Sequence, residues 1–280
     1  AFNQCDVALL NGNHFAGKTQ IVLLDSSKLK SLEKRVHQLT NVIAIITVDQ
    51  TPTPIFLQET IQNIDEIPKF DYDDQEAVVA FVSNWLMAHK PVLKALVLAG
   101  GKSTRMGSDK AMLKYDNQRQ VDRAIGLMQR HVDEVYVSCR TNQDLEVSVP
   151  KITDRTTDAG PLGAITTAFR SDPNAAWLVM ACDLPMVDDG VIKELLSRRS
   201  VKHAATAFLN QETGFAEPLI TIWEPKSYMR MVQFEAIGYT CPRKVLINSN
   251  TLLIEPKHPE KLCNVNTPDE YKAATKTLDS

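Results

Sequence analysis

The feature that most constrains the fold of this 280-residue chain is an alternation of short apolar runs with longer amphipathic stretches. Apolar runs of about four to eight residues are typical of buried strands, and the amphipathic stretches between them are typical of helices that cover a sheet. The alternation favours parallel strands, because a helix is the usual connection between two of them. We therefore expect an α/β fold with a mostly parallel central sheet.

The predicted elements follow the chain in order. Strands are predicted at residues 6–10, 20–24, 42–48, 94–99, 134–138, 177–181, 204–209, 219–223 and 252–254. Helices are predicted at residues 26–39, 118–131, 161–170, 189–199, 226–235 and 267–277. A further helix, capped by Asp73 or Asp74, is predicted to carry Val78, Val79, Val82 and Leu86. In the first helix, four apolar residues at helical spacing predict one buried face: Leu29, Leu32, Val36 and Leu39.

Two interruptions divide the chain. Residues 51–54 read Thr-Pro-Thr-Pro and predict a break, and residues 89–91 read His-Lys-Pro and predict a linker. We expect a small partial α/β domain at residues 1–90 and a larger domain at residues 91–280.

Composition excludes several classes of protein. The net charge of −3 gives no reason to expect nucleic acid or a membrane surface as a partner. No run approaches the roughly 18 continuous apolar residues of a membrane helix. The five cysteines form no C-x-x-C pair, and the six histidines show no ligand spacing. We therefore expect a cytoplasmic protein with reduced thiols and no zinc site.

Residues 12–19, GNHFAGKT, match the phosphate-binding pattern G-x-x-x-x-G-K-[ST]. In a true P-loop the lysine opens a helix whose N-terminus faces the phosphates. Here the residues after Thr19 are Gln-Ile-Val-Leu-Leu, which predict a strand. We expect a hairpin turn between strands 6–10 and 20–24. The alternative is a P-loop hydrolase, which loses GTP hydrolysis when Lys18 is replaced by Ala.

A second glycine-rich segment, LAGGKSTRMGSDK, occupies residues 98–110 at the end of a predicted strand. Gly100 and Gly101 allow backbone amides to approach phosphates. Arg105 and Lys110 add two positive charges, which suit a nucleoside triphosphate with about four negative charges. The spacing is not G-x-G-x-x-G, so a dinucleotide site is disfavoured. The segment predicts a nucleoside triphosphate site.

This segment resembles the signature L-A-G-G-x-S-x-R-M-G-x-D-K of the nucleotidyltransferases that include molybdenum cofactor guanylyltransferase. Further segments are similar to motifs of the same family, in the same order: TDRTTDAGPLGAI at 153–165, MACDLPMV at 180–187, CPRKVL at 241–246 and NVNTPDEY at 264–271. The resemblance covers most of residues 94–280 and implies a Rossmann-like nucleotidyltransferase domain.

The resemblance implies a reaction that joins the terminal phosphate of molybdopterin to the α-phosphorus of GTP and releases pyrophosphate. It implies Mg²⁺ as the cofactor and Asp183 as its ligand, which agrees with the preference of Mg²⁺ for one or two carboxylates plus phosphate oxygens. Arg105 and Lys110 are expected to hold the β- and γ-phosphates and to stabilise the leaving pyrophosphate.

On the nucleotide side, the resemblance implies contacts from Leu98, Ala99, Gly100 and Gly101, with Lys110 on the phosphates. Glycine at position 100 is typical of guanine users, whereas cytidine users more often have L-A-A-G, so GTP is favoured. Asp154 resembles the family acid that meets the nucleotide; a solvated loop aspartate is the alternative. Ser138 falls where guanylyltransferases often have Asn, and its hydroxyl offers fewer contacts than an amide.

On the acceptor side, Arg243 and Lys244 are expected to meet the pterin phosphate, with a solvated basic pair as the alternative. Asn264 and Asn266 resemble the family's N-V-N-T-P segment. Sugar nucleotidyltransferases often have Asp where Asn266 stands, and a neutral amide is a poor Mg²⁺ ligand, which argues against a two-carboxylate site. Pro268 at a first helical position also predicts a helix start there.

Residues 1–90 are weakly similar to the later half of the GTP-binding adaptor that partners this enzyme, whose own P-loop would precede Ala1. Other molybdenum cofactor biosynthesis proteins are therefore expected partners. Two alternatives to the guanylyltransferase interpretation stay open: a cytidylyl- or sugar-phosphate transferase of the same fold, and a non-catalytic GTP-binding adaptor.

Overall fold

The structure is a computed structural model that describes residues 12, 19–100, 110–115, 117–141, 143, 145–154 and 160–278, with Lys110 described by its backbone alone. The described residues form two compact units that divide between Lys90 and Pro91. No helix among them is long and apolar enough to cross a bilayer.

The smaller unit is built on a three-stranded parallel sheet in the order β1-β2-β3. Its strands are β1 (Gln20–Leu24), β2 (Val42–Thr47) and β3 (Lys69–Asp71), and its α-helices are α1 (Leu29–Glu33), α2 (Ile55–Thr60) and α3 (Gln75–Ala88). The Asp74 side chain caps α3 by accepting a hydrogen bond from the Ala77 N–H at 3.1 Å. Side chains from the sheet and α2 form the core, among them Val22, Leu24, Ile45 and Leu57.

A strand, rather than a helix, follows Thr19, as predicted. This excludes the helix that a P-loop lysine opens. The predicted turn itself, at residues 13–18, and the strand at residues 6–10 lie outside the described residues.

The single helix predicted at residues 26–39 is wrong. The segment forms a 3₁₀ turn at Ser26–Lys28, the short helix α1 and a second 3₁₀ turn at Val36–Gln38. Its four apolar residues still pack against the core of the smaller unit, so the predicted face is correct. Lys30 and Lys34 stand at i and i+4, where like charges repel and weaken a continuous helix.

The larger unit contains a seven-stranded sheet in the order β12-β10-β11-β9-β4-β7-β8. These strands are β4 (Leu93–Leu98), β7 (Val135–Cys139), β8 (Lys151–Thr153), β9 (Ala176–Ala181), β10 (Ala205–Leu209), β11 (Ala216–Trp223) and β12 (Thr251–Ile254); β5 (Lys114–Tyr115) and β6 (Gln118–Arg119) form a separate hairpin. The helices are α4 (Gln120–Gln129), α5 (Gly160–Ser171), α6 (Asp189–Ser197), α7 (Tyr228–Ala236), α8 (Pro242–Ile247) and α9 (Pro268–Leu278).

The central sheet is mostly parallel, as predicted. Strands β4, β7, β8 and β9 are mutually parallel, and β10 is parallel to β12. The exception is β11, which runs antiparallel to both of its neighbours. A short turn joins β10 to β11, and a short connection of that kind requires antiparallel strands.

Helices cover both faces of this sheet. On one face, α4 and α6 pack against side chains such as Ala95 and Val97 of β4. On the other, α5, α7 and α8 pack against Leu96 of β4 and Val179 of β9. Successive residues of β4 therefore enter different cores, as expected for a strand buried on both sides.

Several short elements escaped prediction. Strands β3 and β8 have three residues each, and helices α2 and α8 have six each. The helix predicted at 118–131 is wrong at its start, because Gln118 and Arg119 belong to the β5–β6 hairpin and α4 begins at Gln120. Asn117, in the turn of that hairpin, has a φ of 60°. Elements this short contain too few residues to show a period.

Candidate functional site

The candidate site lies at the carboxyl ends of β4 and β9. From β4 the chain builds outward through β7 and β8, and then returns to place β9 on the opposite side of β4. In open α/β sheets a ligand crevice forms where the strand order reverses in this way. The Cys182 N–H, just after β9, donates to the Leu98 carbonyl at 3.1 Å and joins the two strand ends.

The end of β4 is fixed from two sides. The Ala99 N–H donates to the Ser138 carbonyl at 3.0 Å. The Ala99 carbonyl accepts a hydrogen bond from the Gln143 side-chain amide at 2.9 Å. A Cβ built on Gly100 would lie 3.4 Å from Asp154 Oδ2, so the glycine stands directly against that carboxylate. The structure therefore brings four residues of the predicted nucleotide side together.

Ser138 and Asp154 form a pair. Ser138 is buried, and its hydroxyl donates to Asp154 Oδ1 at 2.7 Å. The Asp154 N–H donates to the Cys139 carbonyl at 3.0 Å, which fixes the backbone beyond β8. Burial raises the pKa of Asp154, and the hydrogen bond from Ser138 opposes that shift. Asp154 is thus part of the crevice wall rather than a solvated loop residue, while its contact with a nucleotide stays a prediction.

Asp183 stands two residues beyond β9, on the other side of the crevice. Its Oδ1 atom is buried, and its backbone carbonyl accepts a hydrogen bond from the Val265 N–H at 2.8 Å. Burial raises the pKa of Tyr115 to about 12, and the negative charge of Asp183 adds to that effect. This carboxylate is therefore anchored through its backbone and lies within electrostatic reach of a buried tyrosine.

The donor set suits Mg²⁺ better than zinc. Within the described residues, no group of three or more His, Cys, Asp or Glu side chains is arranged to hold a metal ion. Zinc sites usually need three or four such ligands, whereas Mg²⁺ is often held by one or two carboxylates together with substrate phosphates and water. The single carboxylate of Asp183 fits the second pattern.

The segment with Asn264 and Asn266 starts helix α9. Glu270 Oε2 accepts hydrogen bonds from the N–H groups of Asn266 and Thr267 at 2.6 and 3.0 Å, and the Thr267 hydroxyl accepts one from the Glu270 N–H at 3.3 Å. This is a capping box, so the predicted helix start is confirmed. Asn264 is exposed and Asn266 is half-buried, and their contacts with an acceptor stay predictions.

Arg243 and Lys244 lie in the first turn of α8. Lys244 is exposed, whereas Arg243 is half-buried and its Nε has no hydrogen-bond partner within the described part of the chain. The Thr240 carbonyl accepts a hydrogen bond from the Leu162 N–H at 3.1 Å, so the chain entering α8 touches the start of α5. A role for the basic pair on an acceptor phosphate stays a prediction.

Three predicted phosphate-site residues have no described side chain. Gly101 and Arg105 lie outside the described residues, and the backbone of Lys110 begins a 3₁₀ turn at Lys110–Met112. Their roles stay predictions.

The sequence-based prediction missed two residues of the site region. Gln143 holds the end of β4, and Glu217 in β11 carries a buried side chain with Asn210 as a partner. No motif or spacing in the sequence around Gln143 indicates this role. Glu217 directly precedes Pro218 and an apolar run, and a charged residue at the start of such a run is the signal that the sequence carries for it.

Comparison with known proteins gives the same fold and one family. The family model described as "MobA-like NTP transferase domain" matches residues 95–250. That range holds the strand ends at β4 and β9, the pair Ser138 and Asp154, and the basic pair of α8.

Curated relatives match mainly the larger unit. A Synechocystis protein named "Molybdenum cofactor biosynthesis bifunctional protein" is 33% identical over 183 residues, which cover 64% of this chain and 52% of that protein. Its aligned part is therefore about half its length. A "Probable molybdenum cofactor guanylyltransferase" from Carboxydothermus hydrogenoformans is 29% identical over 66% of this chain and 95% of its own length.

Solved structures share the fold. "Molybdopterin-guanine dinucleotide biosynthesis protein A" from Archaeoglobus fulgidus superposes with a TM-score of 0.58 at 20% identity, over 66% of this chain and 98% of its own. "2-C-methyl-D-erythritol 4-phosphate cytidylyltransferase" from Thermus thermophilus gives 0.51 at 12% identity, over 68% and 100%. At such identities the likeness establishes the Rossmann-like nucleotidyltransferase fold alone.

Proposed function

Because the chain belongs to the MobA-like NTP transferase domain family, an enzyme family of nucleotidyltransferases, we propose that it transfers GMP from GTP to molybdopterin. The observation that carries the proposal is the contact of Gly100, Ser138 and Asp154 at the strand-order reversal, with Asp183 following the neighbouring strand β9. Relatives named molybdenum cofactor guanylyltransferase support the choice of substrates.

The reaction needs alignment and charge neutralisation more than covalent help. A terminal phosphate oxygen of molybdopterin forms a bond to the α-phosphorus of GTP, the bond from that phosphorus to the bridging oxygen of the β-phosphate breaks, and pyrophosphate leaves with that electron pair. Arg105 and Lys110 hold the β- and γ-phosphates and balance the charge on the leaving group.

Leu98, Ala99 and Gly100 hold the guanine nucleoside against the pair formed by Ser138 and Asp154. The fixed carbonyl of Ala99 supports this, because the Gln143 amide sets its direction before a ligand arrives. Preorganised groups lose little free energy on binding.

Mg²⁺ is the implied cofactor, and Asp183 is the residue that would hold it. When bound, the ion supplies positive charge to the phosphates around the reacting phosphorus. The buried Oδ1 and the backbone bond from Val265 support this assignment, because they fix the carboxylate in one place.

The acceptor is held on the other side of Asp183. Arg243 and Lys244 supply positive charge for its phosphate, and Asn264 and Asn266 supply amides close to Asp183. The half-buried Arg243, whose buried Nε has no hydrogen-bond partner within the described part of the chain, supports the first assignment.

The role of residues 1–90 belongs to the same proposal. We place them as an adaptor-like domain that works with other molybdenum cofactor biosynthesis proteins in the cytoplasm, where GTP is available and cysteines stay reduced. The free cysteines among the described residues, such as the exposed Cys241 and Cys263, agree with that compartment.

Choice of base is tested by titrating GTP, CTP and UTP with Mg²⁺ present. We expect GTP to bind at least about tenfold more tightly than either pyrimidine nucleotide, because L-A-G-G stands at the end of β4. A preference for CTP would contradict guanine as the base and favour the cytidylyltransferase alternative.

The role of Asp183 is tested by Asp183→Asn, with pyrophosphate release from GTP and molybdopterin as the measurement. We expect the rate to fall about a hundredfold or more, because the amide removes the charge that would hold Mg²⁺. The matched control is Asp269→Asn, whose carboxylate on α9 is almost fully exposed. Equal rates for the two variants would contradict the assignment.

A further inference from the structure

Strand β11 carries a buried carboxylate that the proposed reaction does not use. Glu217 is 8% exposed and lies where the ladder between β10 and β11 is irregular. The pairing passes from Ala207 with Thr221 to Leu209 with Ala216, so β11 contains more residues than its partner. Such bulges re-aim side chains and are frequent beside active sites.

The side chain of Glu217 is oriented before any ligand arrives. The Asn210 amide nitrogen donates to Glu217 Oε1 at 2.5 Å. Asn210 is itself fixed, because its Oδ1 accepts hydrogen bonds from the N–H groups of Glu212 and Thr213 at 3.0 and 2.8 Å. A carboxylate has about four acceptor positions, so the bond from Asn210 leaves room for a ligand with N–H donors.

Strand register brings this bulge to the candidate site. Ile220 pairs with Met180 in β9, so the bulged residues 217–220 lie level with the end of β9, shortly before Asp183. The segment 263–265 lies near both Glu217 and Asp183. Partial burial, together with the negative charges of Glu212, Glu217 and Glu260, raises the pKa of Cys263, and the Val265 N–H bonds the Asp183 carbonyl.

Within the sheet, strands β4 and β9 lie between Glu217 and the nucleotide side. Ser138 and Asp154 belong to β7 and the end of β8, on one side of β4, whereas β9, β11 and β10 follow in order on the other side. A ligand that starts on the nucleotide side and extends past Asp183 therefore places its far end beside β11.

We propose that Glu217, positioned by Asn210, binds the pterin ring of the acceptor by accepting hydrogen bonds from its ring N–H and its 2-amino group. This inference rests on the proposed function for its ligand. The 2-amino-4-oxopyrimidine edge of a pterin offers two adjacent donors, which match the two oxygens of a carboxylate. Guanine has the same edge, and the position of Glu217 on the β11 side assigns it to the pterin.

The test uses the full chain and two fluorescent probes, 6-hydroxymethylpterin and 6-hydroxymethyllumazine, which has an oxygen in place of the 2-amino group. The wild-type chain is expected to bind the pterin at least about tenfold more tightly, because a carboxylate repels the lumazine oxygen. Glu217→Gln keeps the shape and an acceptor for Asn210. Its amide N–H₂ opposes the 2-amino group and pairs with the oxygen, so the preference should vanish or reverse.

Two controls separate this effect from a loss of structure. Glu212→Gln changes an exposed glutamate in the same turn and should leave the pterin preference intact. Urea unfolding of Glu217→Gln should match that of the wild type; if the variant does not fold, Asn210→Ala replaces it, and it should weaken the preference by releasing the carboxylate.

Probe binding requires neither GMP transfer nor Mg²⁺, so the inference and the proposed function fail separately. A chain that selects the pterin but does not transfer GMP overturns the reaction alone. Equal binding of pterin and lumazine by the wild type, or an unchanged preference in Glu217→Gln, overturns the role of Glu217. If Glu217→Gln instead loses discrimination between GTP and ITP, Glu217 binds guanine and the assignment to the pterin is wrong.

Discussion

At the scale of single residues, Asp154 is a half-buried carboxylate that resists ionisation. Its folded-state pKa is raised by burial, so between the unfolded pKa, near 3.8, and the folded one the native chain binds more protons than the unfolded chain. The free energy of unfolding therefore falls as pH rises through that window, and the penalty is fully present once pH exceeds the folded pKa.

We predict that Asp154→Asn raises the free energy of unfolding at pH 7, and that the effect shrinks as pH falls below 3.8, where Asp154 is protonated in both the folded and the unfolded chain. Urea unfolding at several pH values measures this. Asp188→Asn is the control, and its expected effect on the free energy of unfolding has the opposite sign. Burial acts against ionisation at Asp188 too, but bonds from Lys261 and the Val191 N–H lower its pKa, so its removal should reduce stability at pH 7. A pH-independent difference for Asp154→Asn would contradict the prediction.

Residue types at the site were partly predictable from sequence. Asp183 carries its signal locally, because it follows a predicted strand within a recognisable motif. Asp154 lies in a segment that resembles a family motif, although the strand before it was not predicted. No motif marks Gln143 or Glu217, since the bond from Gln143 to the Ala99 carbonyl spans 44 positions and the orientation of Glu217 depends on a bulge. Such contacts are set by tertiary packing, which leaves no period in the sequence.

At the scale of elements, the start of α5 depends on a glycine. Gly160 has a φ of 58°, and a Cβ there would lie 3.1 Å from the Thr240 carbonyl oxygen. The left-handed conformation and the close approach both disfavour a side chain. Gly126, inside α4, is the matched control, because a Cβ there meets no atom within 4 Å.

We predict that Gly160→Ala lowers the free energy of unfolding by about 1–3 kcal/mol, through backbone strain and the displaced Thr240 segment. Gly126→Ala should raise it by up to about 1 kcal/mol, because alanine favours the helix. Urea unfolding of both variants measures the difference. Equal effects would mean that the contact between α5 and Thr240 is not tight.

Helices and strands were predicted correctly where they were long enough for their apolar residues to show a helical or strand period. Strands β4 and β9, with six residues each, were found within one residue of their ends, and the fourteen-residue α3 has the predicted Asp74 as its N-cap. Strand β8, with the sequence Lys-Ile-Thr, was not predicted, because three residues are too few to establish an alternation. Its existence depends on pairing with β7, a contact that the local sequence does not encode.

At the scale of the whole molecule, the larger unit forms hydrogen bonds with the residues that precede its first strand. Arg199 donates to the Pro91 carbonyl at 2.9 Å while forming an ion pair with Glu224, which is 1% exposed. The Ala176 N–H donates to the Val92 carbonyl at 2.8 Å. Pro91 and Val92 are therefore part of this unit, although they precede its first strand.

We predict that a fragment of residues 91–280 folds cooperatively and binds GTP. A fragment of residues 93–280 should be less stable by about 1–3 kcal/mol, because it leaves donors of Arg199 and Ala176 without their acceptors. Urea unfolding of the two fragments measures this. Equal stability would show that the bonds to Pro91 and Val92 contribute little, and failure of both to fold would contradict the independence of this unit.

The hydrogen bond from Val265 to the Asp183 carbonyl has a consequence for biosynthesis. Asp183 leaves the ribosome well before Val265, so a nascent chain can complete β9 while the loop that follows it still lacks this support. The loop that contains Asp183 reaches its final form only after the segment before α9 has emerged. A ribosome stalled before Val265 would thus display a nearly whole sheet with an unfinished loop around Asp183.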